Sequence, residues 1–371
     1  MQRATDIILS ICSCIKLNCI ERGGIILEFC WVLPVTREIN YKELHDLSIK
    51  QSVEAEQYAF DSVLVATIPE SLDPWILSTN IVNATNNIRL LVAQNTNHVL
   101  PTYVAKSLNT LNLLSNGRID LNIVTGSSKI GLSKDGAVEN HKTRYRRTKE
   151  FSEVLFGLRN GPLTYHGEFY SIENAELLPN LPTNDHQADI FLAGSSEDAM
   201  NIGAEYADTY LMYANNFEQT SKQINLVKSI AQKHNKKIKC GIYINVIARE
   251  TSDEAWDAAN EILKRSTSFE KKLVKIYQNS VDSVGVSQQK EFKEFEDYIV
   301  DDHLWGGLAE VSPTVALSIV GSYEEVIKTF QKYYELGVSY FLIVGYCNDN
   351  EIERLGKYVL PELKKSIYSG V

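Results

Sequence analysis

Two adjacent hydroxyl side chains, Ser195 and Ser196, stand where a strand-like run passes into a helix. Residues 190–193 (IFLA) are apolar, and after Gly194 and the two serines the run EDAM begins a helix. The first turn of a helix has free backbone N–H groups and the positive end of the helix dipole, so with two hydroxyls it can bind a phosphate. Ordinary N-capping by serine is the alternative, and spacing alone favours it.

A second polar position lies within another strand-like run. Residues 118–124 (RIDLNIV) alternate in polarity, which predicts a strand that carries Asn122 on its less apolar face. Thr125 and Gly126 then open a loop at the carboxyl end of this strand, the edge where α/β folds bind ligands. Barrel interiors usually hold branched apolar side chains, so an amide there indicates a bound polar group.

Strand-like and helix-like runs alternate along the whole chain. Eight such pairs without a long linker predict an α/β fold, a (β/α)8 TIM barrel with insertions at its C-terminal face. No Gly-x-Gly-x-x-Gly follows a strand, so the open dinucleotide-binding sheet lacks its signature. We expect strands at 27–33, 62–66, 88–94, 118–124, 188–193, 208–213, 239–248 and 339–345, and helices at 41–59, 73–86, 102–115, 142–158, 197–206, 216–235, 252–268, 322–336 and 349–366.

Two stretches interrupt this alternation. Residues 159–187 are rich in turn residues, and residues 269–315 contain a polar run at 288–302, predicted helical, followed by a loop. Long insertions at the catalytic edge of a barrel commonly become lids. We expect 269–315 to be a mobile lid, whereas a lid and a fixed structural excursion are equally open for 159–187.

Residues 1–26 are expected to form an extension outside the fold, and 27–371 a single barrel domain. The apolar run at 7–15 (IILSICSCI) is too short to span a bilayer. A secretion signal is one alternative. Another is that translation begins near Leu27, because the codons for residues 21–24 could form a ribosome-binding site.

Charge and cysteine usage exclude several classes of function. The net charge is −10 with a pI near 5.3, which argues against nucleic acid and membrane as partners. The six cysteines form no C-x-x-C pair and no Cys/His cluster with zinc spacing. We therefore expect no metal site, no disulfide framework and a reduced, cytoplasmic location.

Five segments, in order, resemble the luciferase-like (bacterial luciferase family) flavin-dependent monooxygenases, and among them the alkanesulfonate monooxygenase branch. The resemblance covers roughly residues 27–366. The segments are TLNLLSNGRIDLNIVTGSS from Thr110, RYRRTKEFSEVLFGLRNGPLTYHGEFYSIENAELLP from Arg144, IFLAGSSEDAMNIGAEYADTYLMYAN from Ile190, GIYINVIARETSDEAWDAANEIL from Gly241 and YFLIVGYCNDNEIERLGKYVLPEL from Tyr340.

The resemblance implies a two-component monooxygenase that takes reduced FMN from a separate NAD(P)H flavin reductase. It implies activation of O₂ through a C4a-peroxyflavin and oxygenation of a small organic substrate. We also expect a homo-oligomer, either a dimer or a tetramer. A deazaflavin (F420)-dependent oxidoreductase of the same fold and a non-catalytic flavin-binding relative are the alternatives.

The same resemblance assigns cofactor-binding roles. It places the flavin phosphate on Gly194, Ser195, Ser196 and the Tyr145 hydroxyl. A small residue lets the planar flavin ring approach the backbone. Amide side chains can form hydrogen bonds with the carbonyl and N–H groups at the edge of the ring. The residues expected around the ring lie toward the carboxyl ends of three successive strands. They are Ala66 at the second strand, Gln94 and Asn95 at the third, and Asn122 and Thr125 at the fourth.

On the substrate side the chain departs from the alkanesulfonate branch. The Arg-x-His pair of that branch corresponds to Tyr243-Ile244-Asn245, and its other His, Cys and Arg correspond to Thr36, Leu72 and Ser312. The Tyr of the final Gly-Tyr pair survives as Tyr346. We predict that Tyr243, Asn245 and Tyr346 are the catalytic residues, and that the substrate is not a simple alkanesulfonate.

Overall fold

Most strands are buried on both faces, as expected of a parallel sheet covered by helices. The computed structural model describes residues 26–35, 40–126, 128–179, 187–346 and 350–368. The strands are β1 Glu28–Val32, β2 Ser62–Val65, β3 Arg89–Asn95, β4 Ile119–Val124, β5 Leu163–His166, β6 Ser171–Ala175, β7 Ile190–Ala193, β8 Thr209–Tyr213, β9 Lys239–Arg249, β10 Ile299–Asp301, β11 Leu304–Trp305, β12 Ser318–Ser322 and β13 Val338–Val344.

Helices connect the strands and cover the sheet. Short 3-10 segments lie at Glu291–Glu294, Glu296–Tyr298 and Gly307–Glu310, and a π-helical turn lies at Leu355–Val359. The α-helices are Tyr41–Gln57, Pro74–Ala84, Pro101–Leu114, Lys129–Lys134, His141–Arg159, Glu197–Tyr206, Phe217–Lys233, Ser252–Arg265, Ser268–Ser280, Val284–Lys290, Tyr323–Glu335, Glu351–Arg354 and Leu360–Tyr368.

Eight parallel strands close the barrel in the order β1-β2-β3-β4-β7-β8-β9-β13, and β13 pairs back to β1. These are the eight strands that the sequence predicted, so the (β/α)8 fold is confirmed. Two apolar layers result from the alternation of side chains along each strand. The outer layer packs on the helices. The inner layer fills the barrel with Cys30, Val32, Leu64, Leu91, Ala93, Phe191, Leu211, Tyr340 and Leu342.

A ninth parallel strand, β12, was not predicted. It pairs with the carboxyl half of β9, from Ser318 opposite Asn245 to Ser322 opposite Arg249. Strand β9 is eleven residues long, and its last residues extend beyond the barrel, where they need another partner. The run at 318–322 supplies that partner at the catalytic edge.

The predicted polar helix at 288–302 was wrong. The helix ends at Lys290, and two 3-10 turns and an antiparallel β10–β11 pair follow. Asp297 and Tyr298 have positive φ angles of 50° and 60°, which a right-handed helix does not permit. Buried Val300 and Trp305 hold the β10–β11 pair against the rest of the structure. The helix Ser268–Ser280, in the predicted lid, was not predicted either.

The described part of 159–187 is an antiparallel β5–β6 pair. Its turn is tied to the helix His141–Arg159, because Glu150 accepts the backbone N–H groups of Glu168 and Phe169 at 2.7 and 2.9 Å. These contacts favour the fixed excursion over the lid.

The predicted extension 1–26 lies outside the described residues except for Ile26. No described helix is long and apolar enough to cross a membrane.

Candidate active site

Strand parity decides which predicted residues face the barrel interior at its carboxyl edge. Leu91 and Ala93 of β3 belong to the inner layer, so Asn95 points inward and Gln94 points toward the helices. Asn122 of β4 faces inward between Ala93 on one neighbouring strand and Phe191 on the other. The structure therefore brings Asn95 and Asn122 to one side of the sheet and places Gln94 on the other.

Asn122 is the polar group that most clearly needs a ligand. Its side chain is 5 % exposed, and its Oδ1 accepts no hydrogen bond from any described residue. A buried acceptor without a partner costs about 1–3 kcal/mol. A ligand that carries an N–H group at this point would satisfy the oxygen.

Ser196 begins the helix Glu197–Tyr206. Its Oγ accepts the Ala199 backbone N–H at 3.2 Å, so Ser196 is the N-cap of this helix, as the capping interpretation expected. That contact uses a lone pair, and the hydroxyl proton stays available for an anion. Gly194 precedes the serines, and a Cβ on it would lie 2.4 Å from the Ala199 Cβ. Glycine is required for this close approach to the helix.

Tyr145, on the helix His141–Arg159, completes this corner. Burial raises the pKa of its phenol, and hydrogen bonds with Ser196 and Thr125 partly offset that rise. The neighbouring Asp198 raises the pKa further and Arg144 lowers it. The hydroxyl is therefore neutral and able to donate at physiological pH. We call Thr125, Tyr145, Gly194, Ser195 and Ser196 the hydroxyl corner.

Thr148 joins the hydroxyl corner to the loop after β3. Its Oγ1 lies 3.0 Å from Thr125 Oγ1 and 2.9 Å from Thr96 Oγ1. Sequence reasoning missed Thr148. The available signal was its spacing of three residues from Tyr145, which places both on one helix face.

The remaining predicted ring residues make contacts within the protein. Gln94 accepts a hydrogen bond from the Trp75 indole at 2.8 Å and donates to the Asn95 carbonyl at 2.9 Å. The Asn95 side-chain oxygen accepts from the backbone and side chain of Asn97 at 3.0 and 2.8 Å. Gln94 thus fixes Trp75 to the strand end.

Ala66 lies at the edge of a small apolar pocket after β2. Leu33, Pro34, Val65, Leu72 and Leu77 are among its other lining residues. Leu72, which stands where the alkanesulfonate branch has a cysteine, is therefore one wall of an apolar surface. Thr36 lies outside the described residues.

Asn245 is a support for the site rather than an open donor. It is fully buried, its Nδ2 donates to Ser318 Oγ at 3.0 Å, and its Oδ1 accepts the Tyr346 N–H at 2.9 Å. The side chain therefore fixes both β12 and the loop after β13. The Tyr346 ring is 40 % exposed, and its hydroxyl lies 3.4 Å from the Val311 carbonyl.

Tyr243 faces the barrel mouth beside Tyr213. Their ring centroids are 5.8 Å apart. Burial raises the pKa of both phenols, so both hydroxyl protons are retained at physiological pH. Among the described residues neither hydroxyl makes a hydrogen bond, which leaves both able to donate to a bound molecule.

The insertion that contains the predicted lid lies directly on the hydroxyl corner. Val281 forms an antiparallel bridge with Ser128, in the loop after β4. A Cβ on Gly285 would lie 2.7 Å from Ser195 Oγ and 2.6 Å from the Tyr213 ring. The first turn of the helix Val284–Lys290 therefore covers Ser195 and the Tyr213 ring.

Comparisons with known proteins show the family of the chain. The sequence profile of the luciferase-like monooxygenases matches residues 28–340. The structure is similar to an EDTA monooxygenase from Chelativorans sp. BNC1, with 17 % identity, a TM-score of 0.75 and coverage of 92 % of this chain and 94 % of that one.

Two further solved structures carry different cofactors in their descriptions. The oxygenating constituent of 3,6-diketocamphane monooxygenase from Pseudomonas putida, in complex with FMN, is 18 % identical, with a TM-score of 0.69 and coverage of 91 % and 98 %. An F420-dependent secondary alcohol dehydrogenase is 15 % identical, with a TM-score of 0.67 and coverage of 91 % and 99 %. Likeness at this identity shows the fold alone, whereas the profile match shows the family. The chain is an oxidoreductase that belongs to the luciferase-like monooxygenases.

Proposed function

We propose that this protein is a reduced-FMN-dependent monooxygenase. In this proposal a separate NAD(P)H flavin reductase supplies FMNH₂, and one oxygen atom of O₂ is transferred to a small neutral organic molecule. The observation that carries the proposal is the hydroxyl corner with the unpaired oxygen of Asn122 on the adjoining strand. An anion site and an N–H acceptor beside a barrel mouth fit a flavin phosphate and a ring edge.

The residues present fit the cofactor. Tyr145, Ser195, Ser196 and Thr125 would hold the phosphate by hydroxyl donation, strengthened by the helix N-terminus. Asn122 Oδ1 would accept a ring N–H and so fix the ring's orientation. Bound reduced FMN supplies the electrons that activate O₂. The protein contributes orientation and the exclusion of water by the insertion over Ser195.

Tyr243, Tyr346 and Asn245 are proposed to serve the reacting side of the ring. Tyr243 holds its proton because burial raises its pKa, so it can donate a hydrogen bond without transferring the proton at neutral pH. Asn245 holds the Tyr346 backbone in place. The Tyr346 ring, partly exposed at the mouth, can contact substrate.

Titration with FMN tests the proposal. Hydrogen bonds to charged groups contribute about 1.5–3 kcal/mol each, so Tyr145→Phe with Ser196→Ala should weaken FMN binding at least tenfold. Tyr103→Phe with Ser229→Ala removes the same groups from exposed helix positions and is the matched control. A dissociation constant that the first pair leaves unchanged would overturn the assignment.

The likeness to the F420-dependent dehydrogenase makes hydride transfer the second candidate. Anaerobic titration with FMN and with F420 separates the two, since each proposal requires tight binding of its own cofactor. Reduced FMN bound to the protein is then mixed with O₂, and the release of H₂O₂ is compared with that from free FMNH₂. Binding of FMN with no change in its reaction with O₂ would indicate a non-catalytic carrier.

A further inference from the structure

Three buried threonine hydroxyls form a chain that ends at the hydroxyl corner. Thr96, Thr148 and Thr125 are 1 %, 0 % and 4 % exposed, and their Oγ1 atoms are separated by 2.9 and 3.0 Å. The three residues come from the loop after β3, the helix His141–Arg159 and the loop after β4. Thr125 interacts in turn with Tyr145, and Tyr145 with Ser196.

Hydrogen counting gives this chain a direction. Each hydroxyl has one proton to donate, and among the described residues Thr148 is the one hydrogen-bond partner of Thr96 Oγ1. A buried donor left unsatisfied is costly, so Thr96 donates to Thr148. Thr148 then donates to Thr125, and the Thr125 proton remains available for Tyr145 or for a ligand.

At the hydroxyl corner, where this chain of hydroxyls ends, hydroxyl protons remain available for a ligand. Ser196 Oγ accepts the Ala199 N–H, so its own proton points away from the helix. The Tyr145 hydroxyl, whose pKa is raised by burial, keeps its proton and has it available for Ser196 or for a ligand. The donors are therefore oriented before any anion arrives, which lowers the cost of reorganisation on binding.

We propose that Thr148 is a positioning residue that orients the hydroxyl proton of Thr125 toward Tyr145 and the flavin phosphate. The inference rests on the proposed placement of the phosphate. Thr148 itself does not need to touch the cofactor. If the hydroxyl only filled space in the core, an isosteric apolar side chain would serve equally well.

The test compares FMN with riboflavin, which lacks the phosphate. Thr148→Val keeps the side-chain shape and removes the hydroxyl, and should weaken FMN binding at least fivefold while riboflavin binding changes less than twofold. Thr148→Ser restores the hydroxyl and should bind FMN within twofold of the unmodified protein. Ser152→Ala, which removes a buried hydroxyl one helical turn away, is the matched control and should alter neither ligand.

Each result decides one step. An unchanged FMN affinity in Thr148→Val, equal losses of both ligands, or failure of the serine variant to restore binding would overturn the role of Thr148. If Thr148→Val does not fold, Thr96→Val at the start of the chain should show the same selective loss for FMN. If Tyr145→Phe with Ser196→Ala also leaves FMN binding unchanged, the phosphate placement itself is wrong. If that pair weakens binding and neither threonine variant does, only the orienting chain is wrong.

Discussion

The Arg144 guanidinium donates to the Asp282 carboxylate at 2.8 Å, and the arginine side chain is 1 % exposed. Arg144 precedes Tyr145 of the hydroxyl corner, and Asp282 lies just before the helix whose Gly285 covers Ser195. The ion pair therefore joins the insertion to the helix His141–Arg159.

Breaking this ion pair should loosen the insertion and speed the release of cofactor. Loss of one partner of a buried ion pair costs about 3–5 kcal/mol of stability. Asp282 is 19 % exposed, so Asp282→Asn should cost less than that. We expect faster FMN dissociation, and faster hydrogen exchange at 268–290 that is reduced at saturating FMN. Asp302→Asn, which removes the exposed pair with Lys332, is the control. Exchange that is equally slow in both variants would contradict the coupling.

Gly285 is expected to tolerate no side chain. Gly285→Ala would bring a Cβ within 2.7 Å of Ser195 Oγ and 2.6 Å of the Tyr213 ring, so the helix start must move away. We expect FMN affinity to fall roughly tenfold, about 1.4 kcal/mol, with a small change in melting temperature. Val284→Ala, at an exposed neighbouring position, should bind FMN normally. Unchanged binding by Gly285→Ala would show that the insertion does not close on this corner.

The barrel strands were predictable because most are short, largely apolar runs between turn signals. The outward orientation of Gln94 was not, since a shift of one residue in the strand end moves a side chain to the other face. The helix predicted at 288–302 failed because the positive φ angles at Asp297 and Tyr298 leave no mark in the pattern of charges.

The site was partly predictable for similar reasons. Ser196 and Asn122 stand at positions where a hydroxyl or an amide is informative, namely a helix start and a barrel strand. Thr148 lies within a helix between Arg147 and Lys149, where nothing in the sequence distinguishes a site residue from a structural one. Its role depends on Thr96 and Thr125, which are distant in sequence and become neighbours only in the folded barrel.

FMN affinity should rise with pH and then remain constant. The second pKa of a phosphate monoester is about 6, and the dianion accepts stronger hydrogen bonds than the monoanion. Tyr145 keeps its proton because burial raises its pKa, so the donor is lost only in strongly alkaline solution. We expect roughly fivefold tighter FMN binding at pH 8 than at pH 5, about 1 kcal/mol.

Riboflavin, which has no phosphate, should show no such pH dependence. The His141 ring lies 4.7 Å from that of Tyr145, so the same titration of His141→Phe separates histidine ionisation from phosphate ionisation. A pH dependence that disappears in His141→Phe would assign the effect to the histidine and contradict the prediction.

A chain that starts at Leu27 should fold and bind flavin. Strand β1 is paired on both sides by β2 and β13, and the Leu27 N–H donates to the Tyr368 hydroxyl at 2.9 Å. The barrel is therefore closed from this residue onward. We expect the same FMN affinity and a melting temperature within a few degrees of the full chain. Insolubility, or a much lower melting temperature, would show that residues 1–26 are structural.

Simple alkanesulfonates should not be substrates. A sulfonate is an anion at neutral pH, and burying it without a cationic partner costs several kcal/mol. The described positions that correspond to the cationic and titratable groups of the alkanesulfonate branch are neutral here: Tyr243, Asn245, Leu72 and Ser312.

Arg144 is engaged by Asp282, and Lys271 of the insertion lies 3.5 Å from the Leu263 carbonyl. We therefore expect the substrate to be a neutral or apolar molecule. The test measures sulfite release from short alkanesulfonates with FMN, a flavin reductase and O₂. Release no faster than with free FMNH₂ is expected, and efficient turnover of any of them would place this protein with the desulfonating enzymes.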